Sequence, residues 1–216
     1  MSVLTLNELS VVEGTIRLPR IGVWHADLRL DNTQLPSGSV KLESEDKALS
    51  LQGTVLRGEV WHERVEVRIV GGAGRFHKSL PAKFYEQVPL RLVLEDICRE
   101  VGERLSTASD TSLLQIPLTR WTRFEGPAFA TLHTLMGVCQ GSWRLLPSGE
   151  LWLGKESWPE WKEPVDILMY DSAKGFVEIA SPLLSLTPGV SVQGKRISHV
   201  THRIQAGKVR TEAWCE

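Results

Sequence analysis

The chain has 216 residues, a formal net charge of −1 and 42% hydrophobic residues, a composition typical of a globular protein with a sizeable core. The near-neutral charge argues against a dedicated nucleic-acid binder, which would be basic overall.

No apolar run approaches the roughly 20 residues that a membrane helix needs. The first residues, MSVLTLNELS, have neither the basic start nor the apolar centre of a signal peptide. Three widely spaced cysteines, Cys98, Cys139 and Cys215, predict reduced structural thiols rather than a disulfide framework. We therefore expect a protein without a membrane helix that is made and folded in a cytoplasm.

Residues 1–74 predict a first β-barrel-like module. In GVWHADLRLDN, Trp24, Ala26, Leu28 and Leu30 alternate with polar residues, which is typical of a strand buried on one face. Turn residues then separate three more β-like segments: VKLES, ALSLQGTVLRG and VEVRIV. Five or so short strands at this spacing indicate a barrel or a sandwich.

The segment GGAG, Gly71–Gly74, ends this module. Its glycines have neither the GxGxxG nor the GxxxxGKS spacing of phosphate-binding loops, and the following RFHKSL does not predict a helix. We interpret GGAG as a flexible exit from the β-module rather than as a phosphate loop.

Residues 75–163 predict a small α+β unit. In VPLRLVLEDICREVGERLS the apolar residues recur at helical spacing, with Pro89 in the first turn. A second helix is predicted in GPAFATLHTLMGVCQG, with Pro127 near its start and Gly141 at its end. The following SWRLLPSGELWLG predicts a hairpin around Pro147–Gly149.

Residues 164–216 predict a second β-rich module, built from GFVEIAS, SLTPGVSVQG, KRISHVTHRI and KVRTEAWC. The predicted fold class is mainly β with an α+β insertion: two β-barrel-like modules flank a helix–helix–hairpin unit. The sequence leaves open whether the last module is a second barrel or completes one discontinuous barrel with the first.

The HVTH motif offers two histidines, His199 and His202, as candidate metal ligands. Residues three apart share a face on a helix, but on a strand they point to opposite faces. A two-residue loop at Ala206–Gly207 would pair three sets of residues on one face: Ile204 with Val209, His202 with Thr211, and Val200 with Ala213. We therefore favour a structural hairpin over a metal site.

The same register places Arg203 opposite Arg210, which is unfavourable unless an acid lies between them. The pair therefore requires an acid from elsewhere.

No other motif predicts catalysis. HERVE, His62–Glu66, lacks the second histidine of a zincin, and no GxSxG elbow is present. Cys98 and Cys139 fall on apolar helix stripes, where inert packing is the default. We predict no catalytic, metal or cofactor-binding residues. An intracellular hydrolase using His and Asp is the least favoured of three functional hypotheses; the other two are given below.

Tryptophan is the unusual residue, with eight in the chain. Five fall close together: Trp121, Trp143, Trp152, Trp158 and Trp161. They would either stack on sugars, making the chain a carbohydrate- or peptidoglycan-binding module, or pack the α+β unit and its interfaces. We favour packing because Trp143 and Trp152 are flanked by leucines in a tight hairpin.

Three stretches give the chain a family resemblance. They are a strand-rich start closing in VRIVGGAG with a helix ending in REVGERLS; the segment RWTRFEGPAFATLHTLMGVCQGSWRLLPSGELWLGKESW; and PLLSLTPGVSVQGKRISHVTHRIQAGKVRTEAW. In this order they resemble the hub proteins of phage tails and related injection machines. That group includes the late control protein D proteins, the amino-terminal part of VgrG spikes and the hubs of contractile-tail baseplates. Contractile-class hubs are commonly much longer, so the resemblance is to a minimal hub or to a piece of a split one.

The resemblance implies a non-enzymatic homotrimer whose two β-modules per subunit form a pseudo-six-fold ring. Such a ring joins a tail tube or distal tail protein to a central spike, with DNA only as passing cargo. The implied location is the virion, in its tail or baseplate, after synthesis in the host cytoplasm. At the subunit interface we predict Arg203, Arg210, His199 and Trp214, with a neighbouring subunit as the expected source of the acids that meet the two arginines.

Overall fold

The structure, a computed structural model, describes residues 3–216. Its strands are β1 (Leu4–Leu6), β2 (Leu9–Pro19), β3 (His25–Leu30), β4 (Ser39–Ser44), β5 (Ser50–Trp61), β6 (Arg64–Gly71), β7 (Ser79–Leu80), β8 (Lys83–Pro89), β9 (Pro117–Arg123), β10 (Gly126–Pro127), β11 (Ser142–Leu145), β12 (Leu151–Gly154), β13 (Ile167–Asp171), β14 (Phe176–Ile179), β15 (Ser191–Val192), β16 (Lys195–Gln205) and β17 (Lys208–Cys215). Its helices are α1 (Leu90–Val101), α2 (Thr111–Leu114) and α3 (Ala128–Cys139).

The first six strands close into a barrel. They pair in the order β1-β4-β5-β6-β3-β2, and the pairing of β1 with β2 completes the ring of strands. The alternation read from the sequence is confirmed, since Ala26, Leu28 and Leu30 point into the core while the residues between them are only partly buried.

Trp24 fills one end of the barrel, and two glycines make room for its ring. A Cβ atom on Gly71 would lie 2.5 Å from the indole nitrogen, and one on Gly53 would lie 2.8 Å from a ring carbon. Neither position tolerates a side chain without displacing the tryptophan, which is buried to 2% exposure.

The last strands extend the barrel wall. β16 pairs with β2, and β17, β14 and β13 follow in order, so the same sheet continues beyond the barrel. The predicted hairpin is confirmed residue by residue, with Ile204 opposite Val209 and His202 opposite Thr211. Ala206 and Gly207 form its loop with positive φ angles, as a primed two-residue turn requires.

The middle unit contains both predicted helices and the predicted hairpin. Pro89 and Pro127 are the N-caps of α1 and α3. β11 and β12 form the hairpin that follows α3. The two-stranded ribbon of β8 and β9 was not predicted.

A buried ionic cluster fastens α1 to this ribbon. Asp96 accepts hydrogen bonds from Lys83 and from the Tyr85 hydroxyl. The fully buried guanidinium of Arg123 binds both carboxylate oxygens of Glu100 at 3.0 and 2.9 Å. Burial without partners would be costly for these charges, so the cluster fixes the helix in one position on the ribbon.

The chain is therefore mainly β with an α+β insertion, as the sequence predicted. The C-terminal strands do not form a separate sheet but share the barrel sheet through β2. The division into 1–74, 75–163 and 164–216 stays a prediction.

Candidate functional site

One face of the large sheet is polar across eight consecutive strands. These strands lie in the order β5-β6-β3-β2-β16-β17-β14-β13, and every neighbouring pair is antiparallel. The barrel core covers the opposite face of the first four strands. The candidate functional features of the fold are this polar face and the two end strands of the series, β5 and β13.

Ion pairs cover the barrel part of this face. Arg68 on β6 binds both carboxylate oxygens of Asp27 on β3, at 2.7 and 2.8 Å. Arg29 lies between two glutamates, at 2.8 Å from Glu13 and 2.6 Å from Glu66. The hydrogen bonds from Arg68 lower the pKa of Asp27, so the carboxylate stays charged and paired at neutral pH.

Arg203 and Arg210 continue the polar face on β16 and β17, and their acids lie in the same chain. Arg203 Nε is 2.8 Å from Glu212, and Arg210 Nε is 3.2 Å from Glu178 on β14. The expectation that a neighbouring subunit must supply the acid is therefore wrong, because adjacent positions of the same sheet supply it. That these arginines lie at a subunit interface stays a prediction.

His199 and Trp214, the other two predicted interface residues, pair across β16 and β17. Their rings meet edge to face at a centroid distance of 5.2 Å, and Phe176 contacts the indole from β14. Partial burial, aided by the charge of Arg17, lowers the pKa of His199. Both side chains are only partly buried and lie on the polar face.

His202 points into the core, away from His199, as strand geometry predicted. Its Nδ1 lies 3.1 Å from the Thr211 hydroxyl, and its Nε2 is buried without a hydrogen-bond partner. Burial lowers its pKa to about 4. Within residues 3–216, no group of three or more His, Cys, Asp or Glu side chains is arranged to hold a metal ion.

The HERVE motif and the two helix cysteines, the other candidate reactive groups, occupy positions that serve the fold. His62 lies in the turn between β5 and β6, and Glu66 of the same motif binds Arg29. Cys98 and Cys139 are buried thiols, and burial raises the pKa of Cys98 to about 12. A thiol with that pKa is not a nucleophile at neutral pH.

The GGAG segment is an ordered turn rather than the flexible exit that we expected. The backbone N–H groups of Ala73 and Arg75 donate to the carboxylate of Glu103, at 2.9 and 3.0 Å. The turn is an anion-binding arrangement of amides whose anion is a side chain of the same protein. Burial raises the pKa of Glu103, against the effect of these hydrogen bonds.

Most of the clustered tryptophans have their rings covered by the chain itself. Trp143 is buried against Phe76, at a centroid distance of 5.8 Å. The Arg144 guanidinium lies 4.0 Å above the Trp152 ring.

The guanidinium groups of Arg20 and Arg196 each lie 5.5 Å from the centre of the Trp158 ring, and Trp121 packs on Tyr85 with ring centroids 5.7 Å apart. These contacts favour the packing interpretation, since a sugar-stacking surface needs open ring faces.

The eight-strand series ends in an open edge at β13. No strand of residues 3–216 pairs with β13 on the side away from β14. Leu168, Met169 and Tyr170 are exposed there, Leu168 to 66%. An unpaired edge with exposed apolar side chains is a site for pairing with another chain.

The opposite end of the series is also open. β5 pairs with β4 only through Ser50–Thr54, and a bulge follows at Val55–Arg57. From Leu56 to Trp61 the described part of the chain pairs with β5 on one side only, through β6. Trp61 is 66% exposed at the end of this edge. The sequence did not identify β13 and β5 as the open edges, because a missing strand neighbour leaves no local pattern.

Solved structures of tail and secretion proteins share this fold, and three of them illustrate the likeness. The 43 kDa tail protein of prophage MuSo2 from Shewanella oneidensis aligns with a TM-score of 0.68 and 9% identity, covering 100% of this chain and 97% of that one. A tail protein from Neisseria meningitidis aligns with a TM-score of 0.69 and 11% identity, covering 99% and 96%. The E. coli c3393 protein, a type VI secretion component described as structurally similar to the T4 tail proteins gp27 and gp5, aligns with a TM-score of 0.70 and 12% identity, covering 99% and 76%.

The predicted resemblance to tail hub proteins is thus confirmed at the level of the fold. No protein-family model matches the chain, and no curated protein matches it in sequence. None of the helices within residues 3–216 has the length and apolar character needed to cross a bilayer.

Proposed function

We propose that this chain is a structural, non-enzymatic hub subunit of a phage tail or a related injection machine. Three copies form a ring that joins the tail tube, or a distal tail protein, to the central spike. The observation that carries the proposal is the eight-strand antiparallel series, which has a polar face and an open edge at each end. The shared fold with two tail proteins and a type VI secretion component supports it.

The two open edges have the directions that ring closure needs. Because eight strands alternate, β13 and β5 run in opposite directions. A rotation about an axis along the strands keeps each direction unchanged, so β13 of one copy meets β5 of the next as an antiparallel neighbour. Such head-to-tail contacts close into a ring and leave no edge exposed.

The strand count accounts for the pseudo-six-fold symmetry. The series divides into two sets of four strands, β5-β6-β3-β2 and β16-β17-β14-β13. Three copies carry six such sets, which matches a six-fold tube on one side and a three-fold spike on the other.

We place the polar face on the inside of the ring. In this arrangement Arg203, Arg210, His199 and Trp214, which the sequence analysis assigned to a subunit interface, line the channel instead, because β16 and β17 lie inside the series rather than at its edges. Most of the arginines on this face are paired with carboxylates, such as Arg68 with Asp27 and Arg203 with Glu212. A wall of paired charges offers few free cations to phosphates, so DNA passes as cargo without being held. Assembly follows synthesis in the host cytoplasm and ends in the tail or baseplate of the virion.

Mass measurement tests the ring. Light scattering across a concentration series is expected to give three times the monomer mass, and negative-stain images are expected to show a ring with a central hole. A strictly monomeric protein that forms no ring on addition of candidate tube or spike proteins would contradict the proposal.

A further inference from the structure

The open half of β5 carries two exposed charges, Arg57 and Glu59, on the polar face. They are directly opposite Arg68 and Glu66 of β6. Each therefore has a like charge opposite it, which is unfavourable unless a group of opposite charge approaches. Within residues 3–216 neither Arg57 nor Glu59 has an ion-pair partner. A strand added at this edge can supply one.

β13 carries an acid at its end. Met169 and Asp171 lie on the polar face, whereas Tyr170 between them is opposite a buried residue of β14. Asp171 Oδ1 accepts hydrogen bonds from the backbone N–H groups of Ala173 and Lys174, at 3.0 and 3.2 Å. Its Oδ2 faces the largely exposed ammonium group of Lys174, at 3.4 Å, which leaves this oxygen open to a second cation.

The two open edges cannot meet at the same level. A row of directly opposite residues crosses the eight strands from Thr54 to Met169, through Val70, His25, Arg17, Thr201, Glu212 and Glu178. The outer side of Thr54 is already paired with Ser39 of β4. Val55, the next residue, donates its N–H to the loop before β4. A second copy can therefore pair with β5 only beyond this point, along 56–61.

Two registers remain, and charge separates them. Side chains of paired strands keep to their faces, so Asp171 is opposite either Arg57 or Glu59; opposite the last residue of β5, it would leave the rest of β13 unpaired. Opposite Glu59, the aspartate would meet a like charge. Opposite Arg57, it forms an ion pair and leaves Glu59 opposite the uncharged Met169.

We propose, on the premise of the ring described above, that β13 of one copy pairs with the open half of β5 of the next in the register that joins Asp171 to Arg57. The side chains on the other face fit the same register. Tyr170 then lies opposite Gly58, where β5 has no room for a side chain because a Cβ atom would lie 2.5 Å from Leu35. Tyr170 and Leu35 are 47% and 42% exposed in the single chain. An aromatic residue across from a strand glycine covers the backbone there, so the pairing buries both side chains.

This register makes the strands tilt in the ring. Met169 meets Glu59, which is opposite Glu66, and Glu66 lies four residues from Val70 of the level row. A shift of four residues is about 13 Å along the strands, and a series of eight strands is about 38 Å wide. Since stagger and tilt are linked in a closed sheet, the strands incline by about 20° to the ring axis.

Disulfide formation between cysteine variants measures the register. Met169→Cys and Glu59→Cys are made separately in a Cys215→Ser background, because Cys98 and Cys139 are buried while Cys215 is partly accessible. The two full-length proteins are mixed under conditions of ring formation and oxidised. A disulfide is expected, because directly opposite residues have Cα atoms about 5 Å apart.

Trp61→Cys replaces Glu59→Cys as the matched control. Trp61 is two residues further along β5 and would be opposite Met169 in the alternative register. Disulfide formation with Trp61→Cys is expected to be at least about five-fold slower, since the Cα atoms are then too far apart for an unstrained bond. Equal or faster formation with Trp61→Cys would overturn the inference.

Charge reversal tests the ion pair. Arg57→Glu places a like charge opposite Asp171 and is expected to raise the concentration at which the ring dissociates by about ten-fold. Asp171→Asn removes the charge but keeps an oxygen for the turn amides, so it is expected to restore most of the loss in the Arg57→Glu protein. Arg64→Glu is the control, because Arg64 is also exposed but lies on β6, where Asp171→Asn should bring no rescue. Equal rescue of both reversals would contradict the ion pair.

The outcomes separate this inference from the ring itself. Trimers that form normally, link Met169→Cys to Trp61→Cys and do not respond to Arg57→Glu would reject this register and leave the ring intact. A protein that stays monomeric at every concentration would reject the ring and the register together.

Discussion

Arg203 and Arg210 lie directly opposite each other in the β16–β17 ladder, and each is bound by a different glutamate. Like charges at opposite positions destabilise a strand pair. The sheet offsets this repulsion locally. Glu212 lies two residues beyond Arg210 on β17, and Glu178 lies on the next strand, β14. The stability of the hairpin therefore depends on these acids.

Glu212→Gln is expected to lower the free energy of unfolding by about 1–2 kcal/mol, because Glu212 is nearly buried and both of its carboxylate oxygens accept a bifurcated hydrogen bond from Arg203 Nε. Glu178→Gln is the matched control. Its partner Arg210 is largely exposed, so the expected loss is below about 1 kcal/mol. Urea denaturation of the two variants measures the difference, and equal losses would contradict it.

Gly72→Ala is expected to destabilise the protein more than Gly38→Ala, by about 1–2 kcal/mol. Both glycines have positive φ angles, +64° and +72°, so both substitutions carry the cost of a left-handed backbone. Only at Gly72 does the new Cβ collide with other atoms, at 2.4 Å from a Glu103 oxygen and 2.9 Å from the carbonyl oxygen of Gly149. Denaturation curves of the two variants test this. Similar losses of unfolding free energy would contradict it, because they would mean that the turn around Glu103 accommodates the added methyl group.

Acid is expected to weaken the fold through His202. Its pKa is about 4 in the folded protein, against 6.5 for an ordinary histidine. Above pH 6.5 the histidine is neutral in both states and has no effect. Between pH 6.5 and pH 4 only the unfolded chain binds the proton, so the free energy of unfolding falls by about 3 kcal/mol in total.

The control for this pH effect is His202→Asn, whose amide takes the place of Nδ1 near Thr211. The variant is expected to be less stable throughout because it leaves a cavity. The difference in stability between the two proteins should shrink as the pH falls from 6.5 to 4. A constant difference over that range would show that His202 does not titrate as its burial requires.

Leu168→Lys is expected to prevent ring formation without unfolding the monomer. Leu168 is exposed on β13 in the single chain, and pairing with the next copy would bury it. A lysine on an edge strand opposes further pairing. Circular dichroism measures the folding of the monomer, light scattering measures ring formation, and Leu92→Lys on α1 is the control. A trimeric Leu168→Lys protein would contradict the proposed pairing of β13 with β5 of the next copy.

Local patterns made the hairpin of β16 and β17 predictable to the residue. The short loop at Ala206–Gly207 fixes the register, and alternation assigns each side chain to a face. The helices α1 and α3 were predicted for a similar reason, because each has a proline at its start and apolar residues at helical spacing.

The elements that escaped prediction depend on distant partners. β13 is exposed on both faces because it is an edge strand. Its apolar residues Leu168 and Met169 therefore follow one another directly, without the alternation that predicts a strand. The ribbon of β8 and β9 joins Tyr85 to Trp121 across the whole of α1. The acid that binds Arg210 comes from β14, and nothing near Arg210 in the sequence indicates it.

The charges that border β13 and the open half of β5 bear on which edges can meet. Asp166 precedes β13 and Asp171 ends it, whereas the open half of β5 carries both Arg57 and Glu59. Two β13 edges brought together would place aspartates near aspartates, whereas β13 beside β5 places them near an edge on which Arg57 and Glu59 balance each other. We expect this difference to disfavour tail-to-tail dimers and amyloid-like stacking of free subunits, so that a closed, finite assembly competes successfully with aggregation.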